Sequence, residues 1–531
     1  MSTFLLASLP IIFLIIVMTM PRPWPSPVAF VSACVIASLM QIFAFAAPLP
    51  LLGATIFTGL LNALTPISIV IGAILFFVAL EHSGAMARIK DWLHGVSPHP
   101  VAQLMIVGWS FMFLLEGASG FGTPAALAAP ILVGLGFPAL RVAVLCLVFN
   151  ATPTPFGAVG TPLWFGFEEI GLGEEELLMV GLQTALWQGI VALFLPIAAL
   201  LLVVDWSVWR RNLGFALLSV AACTFPMMLL AWVNYEFPTV IGGSIGLTLS
   251  ILAARWGIGL EKTGPKAAKK TAGEGSNTSL VRALLPVGAT VLLLLVTRIP
   301  GLGLRRWLTS PEGGFTIHLG WAGDLAISSS LVLRWTDILG EDLRWSHAAL
   351  YVPSLLPFFL TATLALLLFG KGWPEARQVI AGTGQKIAKP LLALFGALVF
   401  VNLLSMGGEQ SPTMVIGQFF ARAAGDGWVY FAPFLGALGS FFSGSTTISN
   451  LTFGPIQHSI AQETGISPTL LLALQCAGGS MGNMICIHNI VAVCAVLGLT
   501  NKEGTILKMI FPFLLLHGAL LALLTLAMNL W

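Results

Sequence analysis

The sequence predicts an all-α, polytopic membrane protein of about 12 transmembrane helices plus two re-entrant hairpins, arranged as an inverted repeat. Three observations predict it. Of the 531 residues, 57% are hydrophobic and only 9% are charged, against roughly 25% charged in a soluble domain. Apolar runs of about 20 residues, the length that crosses a bilayer as a helix, recur along the whole chain. Two further apolar stretches break at their centres into small and polar residues, and these two resemble one another.

The expected spans, in order, are 4–20, 27–46, 63–83, 138–162, 177–204, 213–234, 237–255, 281–298, 348–369, 388–405, 468–497 and 506–530. The first reads as a retained span, because Met1 to Met20 lacks a basic n-region and a small-residue cleavage site. Residues 257–280, rich in Lys, Gly, Ser and Thr, read as a flexible cytoplasmic linker between a first half, 1–256, and a second half, 281–531. The positive-inside rule orients the chain. With the N-terminus outside, all but six of the 24 Lys and Arg fall in or beside cytoplasmic loops. Five of those six lie in the long loop 299–347 or at its edges, and long loops weigh little in the rule. Trp24, Trp164, Trp232, Trp256 and Trp531, near span ends, read as interfacial anchors.

The re-entrant hairpins are expected at 101–136 and 429–464, each followed by a broken helix, at 138–162 and 468–497. An odd number of spans separates the hairpins, so they enter from opposite faces. The first tip carries Glu116, Gly117, Ser119, Gly122 and Thr123, and the first broken helix carries Asn150, Thr152 and Thr154. The second tip carries Ser443, Ser445, Thr446, Thr447, Ser449 and Asn450, and the second broken helix carries Asn483, His488 and Asn489. Backbone left unpaired in hydrocarbon costs several kcal/mol per group, so such breaks survive only where they line a protected cavity. Half-helix N-termini there present free N–H groups to an anion. Two breaks at matching places in two halves point to the substrate site of a carrier.

Glu116 is the only carboxylate between residues 101 and 165. An intramembrane ionisable group is a functional candidate, and a carboxyl withdrawn from water takes up a proton more readily. Glu116 and His488 are the candidates for carrying a coupled proton. Each polar residue at the breaks has an ordinary alternative as glue between helices. Their clustering at two matched places favours the site.

The stretch Leu115 to Pro124 (LEGASGFGTP), with Gly134 to Phe137 and Asn150 to Pro162, resembles the first signature of the lactate permease family. Gly444 to Asn450 (GSTTISN), with Leu474 to Leu499, resembles the second. The likeness extends over nearly the whole chain. Many family members read Gly-Ser-Asp-Thr where this chain has Gly444, Ser445, Thr446 and Thr447, and have a Lys where this chain has Asn483. The resemblance implies a secondary transporter in a bacterial inner membrane, with elevator-like movement. It implies import of lactate, glycolate or a related 2-hydroxy monocarboxylate by proton symport.

Other classes fit less well. The net charge of +2 gives no basis for a nucleic-acid partner. The six cysteines lie in apolar runs with no CxxC pair, so neither a disulfide framework nor a metal site is expected. No cofactor is implied, and a homodimer is compatible with this layout. An intramembrane enzyme lacks its residues, since there is no HExxH and no pair of membrane aspartates. The rival within carriers is a sodium-coupled symporter of another carboxylate or organic anion. Hydroxyls and carbonyls in the Ser445 to Asn450 stretch suit a hard cation.

Overall fold

The computed structural model describes residues 2–20, 24–120, 123–261, 279–297, 302–352, 355–499 and 502–529. The expected linker falls largely outside the described residues. The chain divides into two compact units, each drawn from both halves of the sequence: residues 1–87 with 278–422, and residues 88–277 with 423–531.

The first unit is organised on one long helix, Trp373–Ser405. Helices Ser26–Phe43, Leu49–Asn62 and Leu64–Ser83 pack along it. Small residues set how closely they approach. A Cβ on Gly59 would lie 2.7 Å from Val399 Cα, and one on Gly396 would lie 2.7 Å from Phe30 Cβ. Buried Gln41 donates through Nε2 to the carbonyls of Leu403 (2.6 Å) and Met406 (3.2 Å). Those carbonyls lie at the end of the long helix, where intrahelical partners run out. Leu49–Asn62 and Pro412–Ala424, of 14 and 13 residues, fall in stretches that read as connections. Both are shorter than the roughly 20 residues that a sequence search for spans requires.

Residues 302–352 correct the all-helical expectation. They hold a four-stranded antiparallel meander in the order β1 (Gly314–His318), β2 (Asp324–Ser328), β3 (Val332–Thr336) and β4 (Trp345–Ala348). Its strands have four or five residues each. Such short strands carry alternating apolar residues, such as Leu325 and Ile327, that a search for long apolar runs passes over.

The second unit holds two helical hairpins, each followed by a broken helix. In the first hairpin, Pro100–Gln103 continues through a π-helical stretch, Leu104–Phe111, into Met112–Ser119. The chain returns as Thr123–Gly134, packed on the outgoing arm. Ala139–Asn150 follows, and a bend of 59° separates it from Thr154–Ile170. In the second hairpin, Ala432–Ser443 turns at left-handed Gly444 into Thr446–Thr464. Pro468–Asn483 and Ile487–Leu497 form the second broken helix. Helices Glu174–Ala192, Leu213–Ala231, Pro238–Trp256 and Glu503–Asn529 complete the unit.

Five helices among the described residues are long and apolar enough to cross a bilayer: Pro100–Ala118, Glu174–Leu202, Leu213–Ala231, Pro238–Trp256 and Glu503–Ala527. The bent pair makes a sixth if taken as one span. Most other expected spans coincide with apolar helices of 10–17 residues. Pro100–Ala118 is 94% buried within the protein. That suits a hairpin arm enclosed by protein better than a lipid-facing helix.

Glycines lock the second hairpin. A Cβ on Gly478 or Gly482 would stand 2.6 Å from the Cα of Pro433 or Ala437, and would overlap the carbonyl of that residue. Backbone cannot swing aside as a side chain does. Gly482→Val is therefore expected to lower stability by roughly 1–3 kcal/mol or more. Gly504→Ala, which faces open space, should leave stability unchanged or raise it slightly. Thermal unfolding of the purified protein in detergent checks both.

Candidate functional site

A helix broken inside an apolar unit frees amides and carbonyls that must find partners. In the second unit, both hairpin tips and both broken helices meet around one small cavity. It is lined by Glu116, Gly120, Thr154, Gly157, Ala158, Pro162, Gly444, Ser445, Thr446, Thr447 and Asn483.

The first broken helix opens with three successive left-handed residues, Ala158 (φ 45°), Val159 (φ 60°) and Gly160 (φ 69°). This conformation costs an L-residue roughly 1–2 kcal/mol, and a β-branched one adopts it rarely. Side chains hold it in place. The Thr161 hydroxyl donates to the Ala158 carbonyl, and the Trp164 indole Nε1 donates to the Val159 carbonyl at 3.0 Å. Gly160 is required on a second count, since a Cβ there would come within 2.6 Å of Glu236 Cα.

Glu116 is buried in the last turn of its arm. Its Oε2 accepts from Asn150 Nδ2 at 3.1 Å. Gly157 makes room for the carboxyl, because a Cβ there would stand 2.5 Å from Oε1. Gly117 lets the arm close on Pro238–Trp256, where a Cβ would meet the Val240 nitrogen at 2.6 Å. Among the described residues, Glu116 is the only ionisable side chain in the lining, which holds no Lys or Arg.

The second tip is a chain of side-chain to backbone bonds. Ser443 Oγ accepts from the Ser445 amide (3.2 Å), and Ser445 Oγ caps the following helix by accepting from the Ile448 amide (3.3 Å). Asn483 Nδ2 donates to the Gly444 carbonyl (3.2 Å). Asn489 Nδ2 donates in turn to the carbonyl and Oδ1 of Asn483, at 3.1 and 3.0 Å. Thr446 and Thr447 open the helix Thr446–Thr464, in the turn whose amides lack intrahelical acceptors.

Six sequence-predicted residues therefore reach the cavity: Glu116, Thr154, Ser445, Thr446, Thr447 and Asn483. Gly117, Asn150, Ser443 and Asn489 support it from behind. Thr152 is buried near the break, and its Oγ1 lacks a hydrogen-bond partner, as do Asn150 Oδ1 and Thr446 Oγ1. Ser449 and Asn450 point elsewhere. Ser449 Oγ donates to the Gly436 carbonyl (2.6 Å) and accepts from Gln475 Nε2 (3.0 Å), while Asn450 Nδ2 donates to the Pro162 carbonyl (2.8 Å). Gly122 and the side chains of Ser119, Thr123 and His488 lie outside the described residues.

The sequence reading missed five lining residues: Gly120, Gly157, Ala158, Pro162 and Gly444. They carry no polar side chain, although all lie inside the signature stretches. Trp164, expected as an interfacial anchor, also donates its indole Nε1 to the Val159 carbonyl of the left-handed turn.

Asn450 is a direct polar link between the second hairpin and the first broken helix. Asn450→Leu would leave the Pro162 carbonyl without that donor. It should cost roughly 1–3 kcal/mol of stability, read as a lower unfolding temperature in detergent.

Three comparisons bear on these features. A family model described as L-lactate permease matches residues 3–530. A Haemophilus influenzae relative that carries an L-lactate permease name is 44% identical over 523 residues, covering 98% of each chain. The L-lactate permease of Salmonella typhimurium is 29% identical, and the glycolate permease of Escherichia coli is 26% identical; each comparison covers 98% of this chain and 95% of the relative. The Alcanivorax borkumensis YdaH transporter structure is similar at a TM-score of 0.48 and 16% identity, over 94% of this chain and 97% of that one.

Proposed function

The chain belongs to the L-lactate permease family, and we propose that it imports a small 2-hydroxy monocarboxylate, lactate or glycolate, by proton symport. It is a permease and not an enzyme. The observation that carries the reading is Glu116, the one ionisable side chain among the described residues of a cavity otherwise lined by hydroxyls, one amide and small residues.

The electrostatics follow from that placement. A substrate carboxylate about 4 Å from an ionised Glu116 would meet roughly 4 kcal/mol of repulsion at an effective dielectric constant of 20. Protonation of Glu116 removes it. Anion and proton therefore bind together more favourably than either alone, and loss of the proton on the other side drives the anion out. His488 remains a second candidate for the proton.

The wider architecture belongs to the same reading. Two hairpin-plus-broken-helix sets support an inverted repeat within about 12 crossings. Both sets lie in one compact unit that contains the whole cavity, which supports elevator-like carriage of the site. The distribution of Lys and Arg supports an outside N-terminus, and the bacterial permease relatives support a bacterial inner membrane.

Proteoliposomes given lactate or glycolate, with proton and sodium gradients imposed separately, test the coupling. Wild type should concentrate substrate only under the proton gradient. Glu116→Gln should abolish that accumulation but keep part of counterflow exchange, which needs no return of an empty, deprotonated carrier. Concentration by Glu116→Gln under a proton gradient would remove Glu116 from the coupling role. Uptake driven by sodium alone would put the sodium-coupled alternative in place of proton symport.

Orientation is tested by single cysteines in a cysteine-free background. A cysteine in 257–280 should be labelled by impermeant reagent only after the cells are broken. Labelling in intact cells would reverse the topology.

A further inference from the structure

We propose that Trp428 is a positioning residue for the substrate cavity: its indole N–H sets the direction of a chain of buried side-chain amides that ends on Pro162 in the cavity wall. This rests on the transport reading of the cavity given above and adds to it a residue outside the lining. The chain runs bond by bond through the second unit. Trp428 Nε1 donates to Gln457 Oε1 at 2.6 Å. Gln457 Nε2 donates to Gln475 Oε1 (3.1 Å) and to the Ala432 carbonyl (3.0 Å). Gln475 Nε2 donates to the Oγ and the carbonyl of Ser449, at 3.0 and 3.3 Å, and lies 3.5 Å from Asn450 Oδ1. Asn450 Nδ2 donates to the Pro162 carbonyl at 2.8 Å.

A side-chain amide can turn end for end and exchange its donor for its acceptor. An indole N–H can only donate, and a carbonyl can only accept. Trp428 therefore requires the oxygen of Gln457 to face it, which sends the Gln457 nitrogen to Gln475 and the Gln475 nitrogen to Ser449 and Asn450. A reversed Gln475 would set its oxygen against three others. The side chains of Trp428, Gln457, Gln475, Ser449 and Asn450 are all buried, so solvent does not make good a lost partner. The far end is shaped to receive the chain. The Gly166 amide bonds the Thr161 carbonyl at 3.0 Å, and the Pro162 carbonyl is met by Asn450 instead. A Cβ on Gly166 would stand 2.9 Å from Asn450 Cβ and overlap the Pro162 oxygen, so glycine opens this approach. Pro162 follows the left-handed turn and lines the cavity. The orientation of Asn450, and with it this stretch of the wall, thus depends on a donor at the start of the chain.

A double-mutant cycle tests the chain. Trp428→Phe removes the donor and keeps an aromatic ring. Its KM for lactate in counterflow exchange should rise about fivefold, and Asn450→Leu should raise KM by a similar factor. The double variant should be no worse than Asn450→Leu alone, because the chain is then already cut. Thermal unfolding in detergent without substrate should show the same shortfall from additivity. Where Trp428→Phe fails to fold, Gln475→Met, of similar length and without an amide, takes its place in the cycle. A lower unfolding temperature with unchanged KM makes Trp428 a structural residue and overturns the inference while leaving the transport reading intact. KM effects that multiply in the double variant also overturn it, since Trp428 then acts by another route. Absence of both uptake and lactate-induced stabilisation in wild type overturns the transport reading, and the positioning role with it.

Discussion

The second unit depends on one constraint: backbone groups freed inside an apolar environment must be paired. The chain leaves regular helix in both broken helices and at the second hairpin tip, and at each of these places a named side chain takes up a loose group. Thr161 and Trp164 hold the carbonyls of the left-handed turn. Asn450 holds Pro162, and Asn483 holds Gly444. Each such bond is worth only about 0.5–1.5 kcal/mol net, but an unmet group would cost about 1–3 kcal/mol. The polar residues at the breaks are therefore scaffold before they are site. What reaches the cavity is the remainder: one carboxyl, a few hydroxyls and the start of a helix.

That division explains what was legible in the sequence. The hairpins and breaks stand out because Ser, Thr, Asn and Gly interrupt runs that are otherwise apolar. Glu116 stands out as a lone charge. Which polar residue faces the cavity was not legible, because the answer depends on partners far away in the chain. Asn450 and Ser449 look like site residues, yet one is turned to Pro162, 288 positions away, and the other to Gly436 and Gln475. Gly157 looks like filler, yet it makes the space that the Glu116 carboxyl occupies. The meander at residues 314–348 escaped for a different reason: lipid-length apolar runs are a strong signal, and strands of four or five residues are a weak one.

Thr446 and Asn483 show how the two layers interact. Both stand where the resemblance to the lactate permease pattern implies Asp and Lys in many members, and both line the same cavity. An acid and a base replaced together leave the net charge of the cavity unchanged. Replacing either alone would strand the other. A stranded charge in a poorly solvated site costs several kcal/mol, more than the loss of a balanced pair. The joint change is thus the electrostatically inexpensive one. It leaves Glu116 as the only group among the described lining residues whose charge can change, so on the proposed reading the link between proton and anion runs through Glu116, with His488 the other candidate. On that reading, with no Lys or Arg among the described lining residues, the anion is held by dipoles and hydroxyls, a weaker grip. A helix end contributes up to about 2 kcal/mol when partly buried. With a few hydrogen bonds this gives a millimolar to micromolar site, about −4 to −8 kcal/mol. A carrier must release what it binds on every cycle, and on the proposed reading a cavity whose Glu116 repels the substrate once deprotonated does so without a lining cation, among the described residues, to overcome.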